Sequence, residues 1–420
     1  MADSRCHIVL IPGFAGFDML GQLEYYAGVT PYFREWQAQH GEAVLHYFDN
    51  FPTATVATRA MRLRNYLAKR ILRGEFAPSD RIALVGHSTG GLDIRHLIRW
   101  LAKDSESPER TRYSFDGLPQ TSKWRVAPRQ ILKMICRVVF LSVPQWGTNI
   151  ADSVKEHDLV RRFVVDGLHT LVVGSQVPLL DALENCAATC IATHGQPDLL
   201  FAIRDSLSEA TPVRGGKGER GAAAQEAASE LCLWLQHMAS DFGAIEDLTA
   251  WRSPGGADND RTSPAHFGYE TRREELATWS THKIRTRSFA TISPRPEQTG
   301  ADLVYRTSYC ACASGPFHYP EKGDVPKPKE VIGTLRGPIQ ISDSDNDGIV
   351  NTASMLWPDS ASTVLVQGDH MDIVGHHDPV LAPRRTGRKY QAYDLLVSES
   401  GFHGSRFARV WNEVFEFSLS

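Results

Sequence analysis

Residues Arg81 to Trp100 read RIALVGHSTGGLDIRHLIRW: an apolar run, a tight turn and an amphipathic stretch in immediate succession. At the centre stands Gly86-His87-Ser88-Thr89-Gly90, a G-x-S-x-G pattern. Glycine is needed on both sides of the serine because, in a turn this sharp, a side chain at either position would strike the neighbouring strand or helix. Ser88 is thereby pushed out at the C-terminal edge of a strand. Ile94, Leu97, Ile98 and Leu101 share one face of the predicted helix, so its positive end and free N–H groups point at the serine oxygen. The pattern predicts a nucleophile that faces an electrophile.

Upstream, Cys6 to Ile11 is a short apolar run bounded by Pro12-Gly13, as expected of a strand buried on both faces. The glycines of the loop Pro12-Gly13-Phe14-Ala15-Gly16 let the backbone turn back toward the strand ends. The N–H of Phe14 then reads as one donor to a developing oxyanion, and the N–H of Thr89 as the other. Pro31 to His40 is a predicted helix closed by Gly41, and Ala43 to Phe48 a strand. Pro52 and Thr53 open a helix with Val56, Ala60, Leu63, Leu67 and Ile71 on one face, ended by Gly74. This alternation of strand and helix implies a parallel sheet covered on both faces, with ligands bound beyond the C-terminal ends of its strands.

The chain has 420 residues, consistent with one core carrying large insertions, and 42% of them are hydrophobic. A formal charge of −4, with both signs mixed along the chain, gives no electrostatic case for nucleic acid or an anionic membrane surface. The expected partner is a neutral molecule. The seven cysteines form neither a zinc spacing nor a disulfide ladder. No apolar run is long enough to cross a bilayer, and MADSRCHIVLIPGF lacks the pattern of a signal peptide, so a cytoplasmic protein is expected unless a leader was removed.

Beyond the elbow, Lys103 to Arg129 reads as a surface excursion and Cys136 to Val143 as another buried strand. Val154 to Ile191 mixes apolar runs with scattered charges and reads as helices lying over the pocket, a cover or acyl-chain channel. Residues 151–285 are thus expected to form a helical lid insertion within a single domain of residues 1–420, with a flexible connection at Pro212 to Gly221, a helix at Ala222 to Met238 and a mobile loop at Ser253 to Pro264. Arg287 to Ile292 restores a strand, and 293–340 reads as an irregular insertion. In ISDSDNDGIVNTASM, Asp343, Asp345, Asp347 and Gly348 match half of a calcium loop, but Ser354 stands where its bidentate Glu belongs. Asp347, followed by Gly348 and two apolar residues, is the carboxylate best placed to point inward. Val364 to Val366 is the last strand, and the loop after it holds His370, a general base whose tautomer a carboxylate can fix. Ser, Asp and His then follow in the order this architecture requires. Phe407, Val410, Trp411 and Val414 form a closing helix on the sheet.

These segments resemble the true bacterial lipases of the α/β-hydrolase superfamily. IPGFAGFDMLGQLEYYAGV is similar to the oxyanion loop of the Pseudomonas and Burkholderia type, VGHSTGG to its elbow and SVPQWGTNIADSV to the segment leading to its lid. NDGIVNTASM and DHMDIVG resemble the motifs that hold the catalytic Asp and His in the Staphylococcus and Geobacillus type. The resemblance implies an α/β-hydrolase fold with Ser88 as nucleophile, Asp347 as acid, His370 as base, and Phe14 and Thr89 as oxyanion donors. Phe14 after Gly13 is similar to the oxyanion type associated with medium and long acyl chains. No cofactor is required for the chemistry. A structural calcium is implied near the histidine: Asp372 matches a ligand in both lipase types, and Asp378 and the Pro379 carbonyl match ligands of the second type once one extra residue, His376 or His377, is allowed. Asp372 and Asp378 read equally well as surface acids beside two solvated histidines. The zinc site of the Geobacillus type is not matched.

The expected activity is carboxylic-ester hydrolysis on a neutral ester or lipid, including one at a lipid–water interface. Lactone or polyester hydrolysis and acyl transfer use the same triad and stay open, as does a non-catalytic module that traps an acyl ligand.

Overall fold

The computed structural model describes residues 4–14, 16, 19–20, 23–40, 43–105, 126–156, 243–249, 269–298, 300–301, 303–315, 317, 328, 330–334, 340–359, 362–377 and 394–420. Seven strands form its main sheet: β1 (Cys6–Ile11), β2 (Ala43–Tyr47), β3 (Arg81–His87), β4 (Ile135–Leu141), β5 (Arg285–Ile292), β6 (Glu330–Ile332) and β7 (Thr363–Gln367). Their order across the sheet is β2-β1-β3-β4-β5-β7-β6, and every pairing is parallel. The chain runs outward from β1 to β2 and then returns to place β3 on the other side of β1, so the turn that follows β3 opens at the sheet's C-terminal edge beside this switch point.

The helices of seven or more residues are α1 (Val29–His40), α2 (Val56–Leu72), α3 (Thr89–Ser105), α4 (Pro128–Met134), α5 (Asn149–Glu156), α6 (Tyr269–Thr281), α7 (Leu303–Cys312) and α8 (Gly404–Leu419). Alternation along each strand sorts the core into two layers. Val9, Ile11, Ile82, Leu84, Val138 and Phe140 face α2, α3, α4 and α6. Ile8, Leu10, Ala83, Val85, Val139 and Leu141 face α1 and α8, the latter through Phe407, Val410, Trp411 and Val414. Both faces are covered, which is why β1 and β3 read as unbroken apolar runs.

Three local expectations are corrected. Helix α2 starts at Val56 rather than at Pro52, because the Thr55 hydroxyl caps the chain by accepting from the Thr58 N–H. Helix α4 runs without a loop into β4, where the sequence suggested an excursion as far as Arg129; Pro128 at its first turn is well suited to that start. Within the stretch 293–340, α7 and β6 are regular elements. At the end of the stretch 151–285, α6 packs on the sheet, with Trp279 stacked on Phe140 at 5.9 Å. The predicted cover, Val154 to Ile191, lies outside the described residues beyond Glu156, as do the segments 212–221, 222–238 and 253–264.

Candidate active site

The elbow is built by crowding. Ser88 adopts φ 52°, a backbone conformation that costs an L residue strain and is kept only where surroundings over-determine it. A Cβ on Gly86 would lie 2.6 Å from the Gly91 nitrogen of α3, and one on Gly90 would lie 2.4 Å from the Ile11 carbonyl oxygen of β1. The two glycines therefore allow strand, turn and helix to touch. A third, Gly91, does the same against Val143, with a Cβ position 2.3 Å from Cγ2. The Ser88 N–H donates to the Leu141 carbonyl at 2.9 Å, holding the turn to the end of β4.

The loop after β1 abuts the serine, since a Cβ on Gly13 would lie 2.5 Å from Ser88 Cβ. Its peptides are held from behind by Arg59, fully buried on α2. The Arg59 guanidinium donates to the carbonyls of Pro12 (2.8 Å), Gly13 (3.1 Å), Phe51 (2.9 Å) and Pro52 (3.2 Å). It also pairs with the buried Asp93 carboxylate of α3 at 2.9 Å. Burial pushes the Asp93 carboxyl up to about 6, and the Arg59 charge opposes that rise. In a trans peptide the C=O and N–H point in opposite directions. With the Gly13 carbonyl turned to Arg59, the Phe14 N–H points away from the guanidinium.

His370 follows β7 and Asp347 lies in the turn before it. His370 Nδ1 is 2.8 Å from Asp347 Oδ2, and the His370 backbone N–H donates to the Asp347 carbonyl at 3.0 Å. Both side chains are buried. Asp347 Oδ1 accepts from the N–H groups of Ile349 (3.1 Å) and Val350 (2.8 Å). Thr291 Oγ1 lies 2.6 Å from Asp347 Oδ2 and 2.8 Å from Ser142 Oγ. Thr291 has one proton to give and the carboxylate can only accept, so the Ser142 hydroxyl donates to Thr291 in turn. The His370 ring also packs against His87, the residue before Ser88, at a centroid distance of 4.7 Å. Ser88, His370, Asp347 and the Phe14 loop, drawn from both ends of the chain, thus converge at the C-terminal edge of the sheet. Thr89 opens α3, buried directly beside Ser88.

Asp345 turns elsewhere: its carboxylate accepts from the Ser342 N–H at 2.8 Å, while Asp343 is exposed. Asp372 is buried, contrary to the surface-acid alternative, because its Oδ2 is needed by the Asp369 N–H (2.8 Å) and the Ser400 hydroxyl (2.7 Å). Beside it Asp369 accepts from two N–H groups and from Ser398. Burial pushes the Asp369 carboxyl up to about 7, helped by Asp394, and raises Asp372 as well. Hard carboxylate oxygens of this kind suit calcium. Yet no group of three metal-ligating side chains converges among the described residues, and Asp378 and Pro379 lie outside them. His376 is buried, not solvated, and its Nε2 lies 3.1 Å from the Tyr25 carbonyl.

Sequence reasoning missed Arg59, Asp93, Thr291 and Tyr25. The first two left a signal: Arg59 falls inside the apolar stripe of α2, and Asp93 beside that of α3, which marks a buried ion pair. Thr291 and Tyr25 left none.

The strand order and the elbow define the α/β-hydrolase fold. No family model matches this chain, and no curated protein matches it in sequence. Solved structures similar to it include bacterial lipases and esterases. The lipase of Staphylococcus hyicus has 12% identity over 99% of this chain and 95% of that one, with a TM-score of 0.46. Lipase 1 from Pelosinus fermentans has 15% identity over 97% of each chain and a TM-score of 0.42. EstA from Clostridium botulinum has 18% identity over 88% of this chain and 83% of that one, at 0.40. The fold assignment rests on the strand order and the elbow rather than on these likenesses. No helix among the described residues is long and apolar enough to cross a membrane.

Proposed function

We propose that the protein is a serine carboxylic-ester hydrolase of the lipase and esterase kind, acting through an acyl-enzyme on Ser88. The observation that carries the reading is the His370 Nδ1 to Asp347 Oδ2 contact of 2.8 Å beside an elbow whose serine has φ 52°. With Nδ1–H committed to the carboxylate, Nε2 is the nitrogen free to act as base. His370 takes the Ser88 proton as the oxygen attacks the ester carbonyl, and the imidazolium is stabilised by Asp347. The oxyanion is held by the N–H groups of Phe14 and Thr89, which Arg59 and α3 orient before substrate arrives; such preorganised donors are each worth on the order of 10² to 10³ in turnover. The alcohol leaves with the proton from His370. Water activated by the same nitrogen then attacks the acyl-enzyme and releases the acid.

Esters of medium and long acyl chains are the proposed substrates, on the Gly13-Phe14 sequence of the loop. A calcium ion at Asp372, completed by Asp378 and the Pro379 carbonyl, would offset the negative charge of the buried carboxylates and brace the base loop; no chemical step runs through it. Hydrolysis of p-nitrophenyl esters from acetate to palmitate, with Ser88→Ala as the blank, tests the reading. A Ser88-dependent rate that peaks at medium or long chains is expected. Absence of any Ser88-dependent rate refutes it, and a peak at acetate refutes the chain-length assignment.

A further inference from the structure

A chain of hydrogen bonds joins the oxyanion loop to the base loop through the residue next to the nucleophile. The Gly13 N–H donates to the Tyr25 hydroxyl oxygen at 2.9 Å. That hydroxyl lies 2.6 Å from His87 Nδ1, and His87 Nε2 lies 2.9 Å from the His370 carbonyl oxygen. A carbonyl can only accept, so the Nε2 of His87 carries the proton and donates it to His370. Its Nδ1 is then the acceptor, and the Tyr25 proton is spent on it. One tautomer satisfies every member of the chain. All of it is buried, and burial also holds the His87 imidazole well below its ordinary pKa, hence neutral.

The base loop grips Tyr25 a second time. His376 Nε2 lies 3.1 Å from the Tyr25 carbonyl oxygen, so it donates there. A Cβ on Gly375 would stand 1.9 Å from the Ala27 carbonyl oxygen, which leaves the loop pressed on the segment that follows Tyr25. Gly13 is therefore fixed from two sides: its carbonyl by Arg59 and its N–H by Tyr25. The Arg59 contact stays within the first half of the fold. The Tyr25 contact alone reports where His370 is.

We propose that Tyr25 and His87 are positioning residues that lock the oxyanion peptide of Phe14 and the general base His370 into one register, so that both sides of the reacting carbonyl are organised together. This rests on the ester-hydrolase reading above. Neither side chain touches the reacting atoms; each acts through a neighbour. Removing the Tyr25 hydroxyl leaves the Gly13 N–H and the His87 Nδ1 buried without a partner, and the loop relaxes to satisfy them. The ground-state ester depends little on that register, whereas the tetrahedral state depends on it fully.

The test compares wild type with Tyr25→Phe, His87→Gln and the double variant, each confirmed folded by its melting curve and assayed well below its Tm. In Tyr25→Phe, kcat should fall by about 10- to 100-fold with KM within about twofold, the scale of loss from a small misplacement of a catalytic group. The inhibition constant of an alkylboronic acid, whose tetrahedral adduct on Ser88 mimics the intermediate, should rise by the same factor as kcat/KM falls. A purely structural role would lower Tm and leave that constant unchanged. The double variant should be no slower than the slower single one, because both break the same chain. Unchanged kcat and boronate affinity in Tyr25→Phe, or losses that multiply in the double variant, overturn the proposal alone. A wild type with neither ester turnover nor fluorophosphonate labelling at Ser88 overturns the ester-hydrolase reading, and this proposal with it.

Discussion

Arg59→Lys should damage both stability and turnover while keeping the charge. Arg59 serves five acceptor groups from inside the core: the Asp93 carboxylate and the carbonyls of Pro12, Gly13, Phe51 and Pro52. An ammonium has three donors and no planar fork, so at least two of the five lose their partner. At about 1.5–3 kcal/mol for each hydrogen bond to a charged group, the loss is roughly 3–6 kcal/mol. That is a large share of the ~5–15 kcal/mol that holds a typical domain folded. For a chain of 420 residues, thermal melting should show Tm lower by about 3–7 °C. If the Gly13 carbonyl is released, the Phe14 N–H turns with it, and kcat on a p-nitrophenyl ester falls by up to on the order of 10² to 10³ while KM changes little. The kinetic assay is run at a temperature where the melting curve shows the variant fully folded. A variant with the Tm and kcat of wild type would refute the claim that this guanidinium shapes the oxyanion loop.

Asp347→Asn should cost severe losses in kcat, while Asp343→Asn and Asp345→Asn stay within a few-fold of wild type; the reverse ranking in the same ester assay would move the acid. Gly90→Ala should lower Tm and activity together, since its Cβ meets the Ile11 carbonyl at 2.4 Å, backbone that cannot swing aside. His46 tests the pH response of stability. Burial, with the neighbouring His7 and Arg70 charges, lowers it from 6.5 to about 4. The unfolded chain takes up that proton near pH 6.5 and the folded one only near 4, so its contribution is complete above about 6.5 and is lost as pH falls toward 4. His46→Gln should lose less Tm than wild type between pH 7 and 4.5, and an equal loss would acquit this histidine. Excess EDTA should lower Tm, reversibly by calcium; no shift removes the ion from the account.

The parts of the molecule legible in sequence were those written in local pattern. The strands β1 and β3 show themselves as apolar runs because both their faces are covered, and the elbow by glycines whose missing Cβ atoms the geometry requires. Asp347 stood out among three neighbouring aspartates because apolar residues follow it. Helix α4 was hidden because seven residues give too little periodicity to read. The supporting shell of the site was hidden for a different reason. Tyr25 meets His87, and Thr291 meets Asp347, only once distant strands are side by side, and a tyrosine or threonine looks the same in sequence whether it serves a site or a surface. Arg59 is the intermediate case: its burial could be read from its place on α2, its partners could not.

Strand β7, which leads into His370, enters the sheet between β5 and β6 rather than at an edge. A growing chain makes Ser88 and its turn early and His370, its proposed base, only after β7. On the proposed triad, activity waits for this late strand to slot home, so recovery of turnover after denaturation should lag the return of secondary structure, a clock on completed assembly.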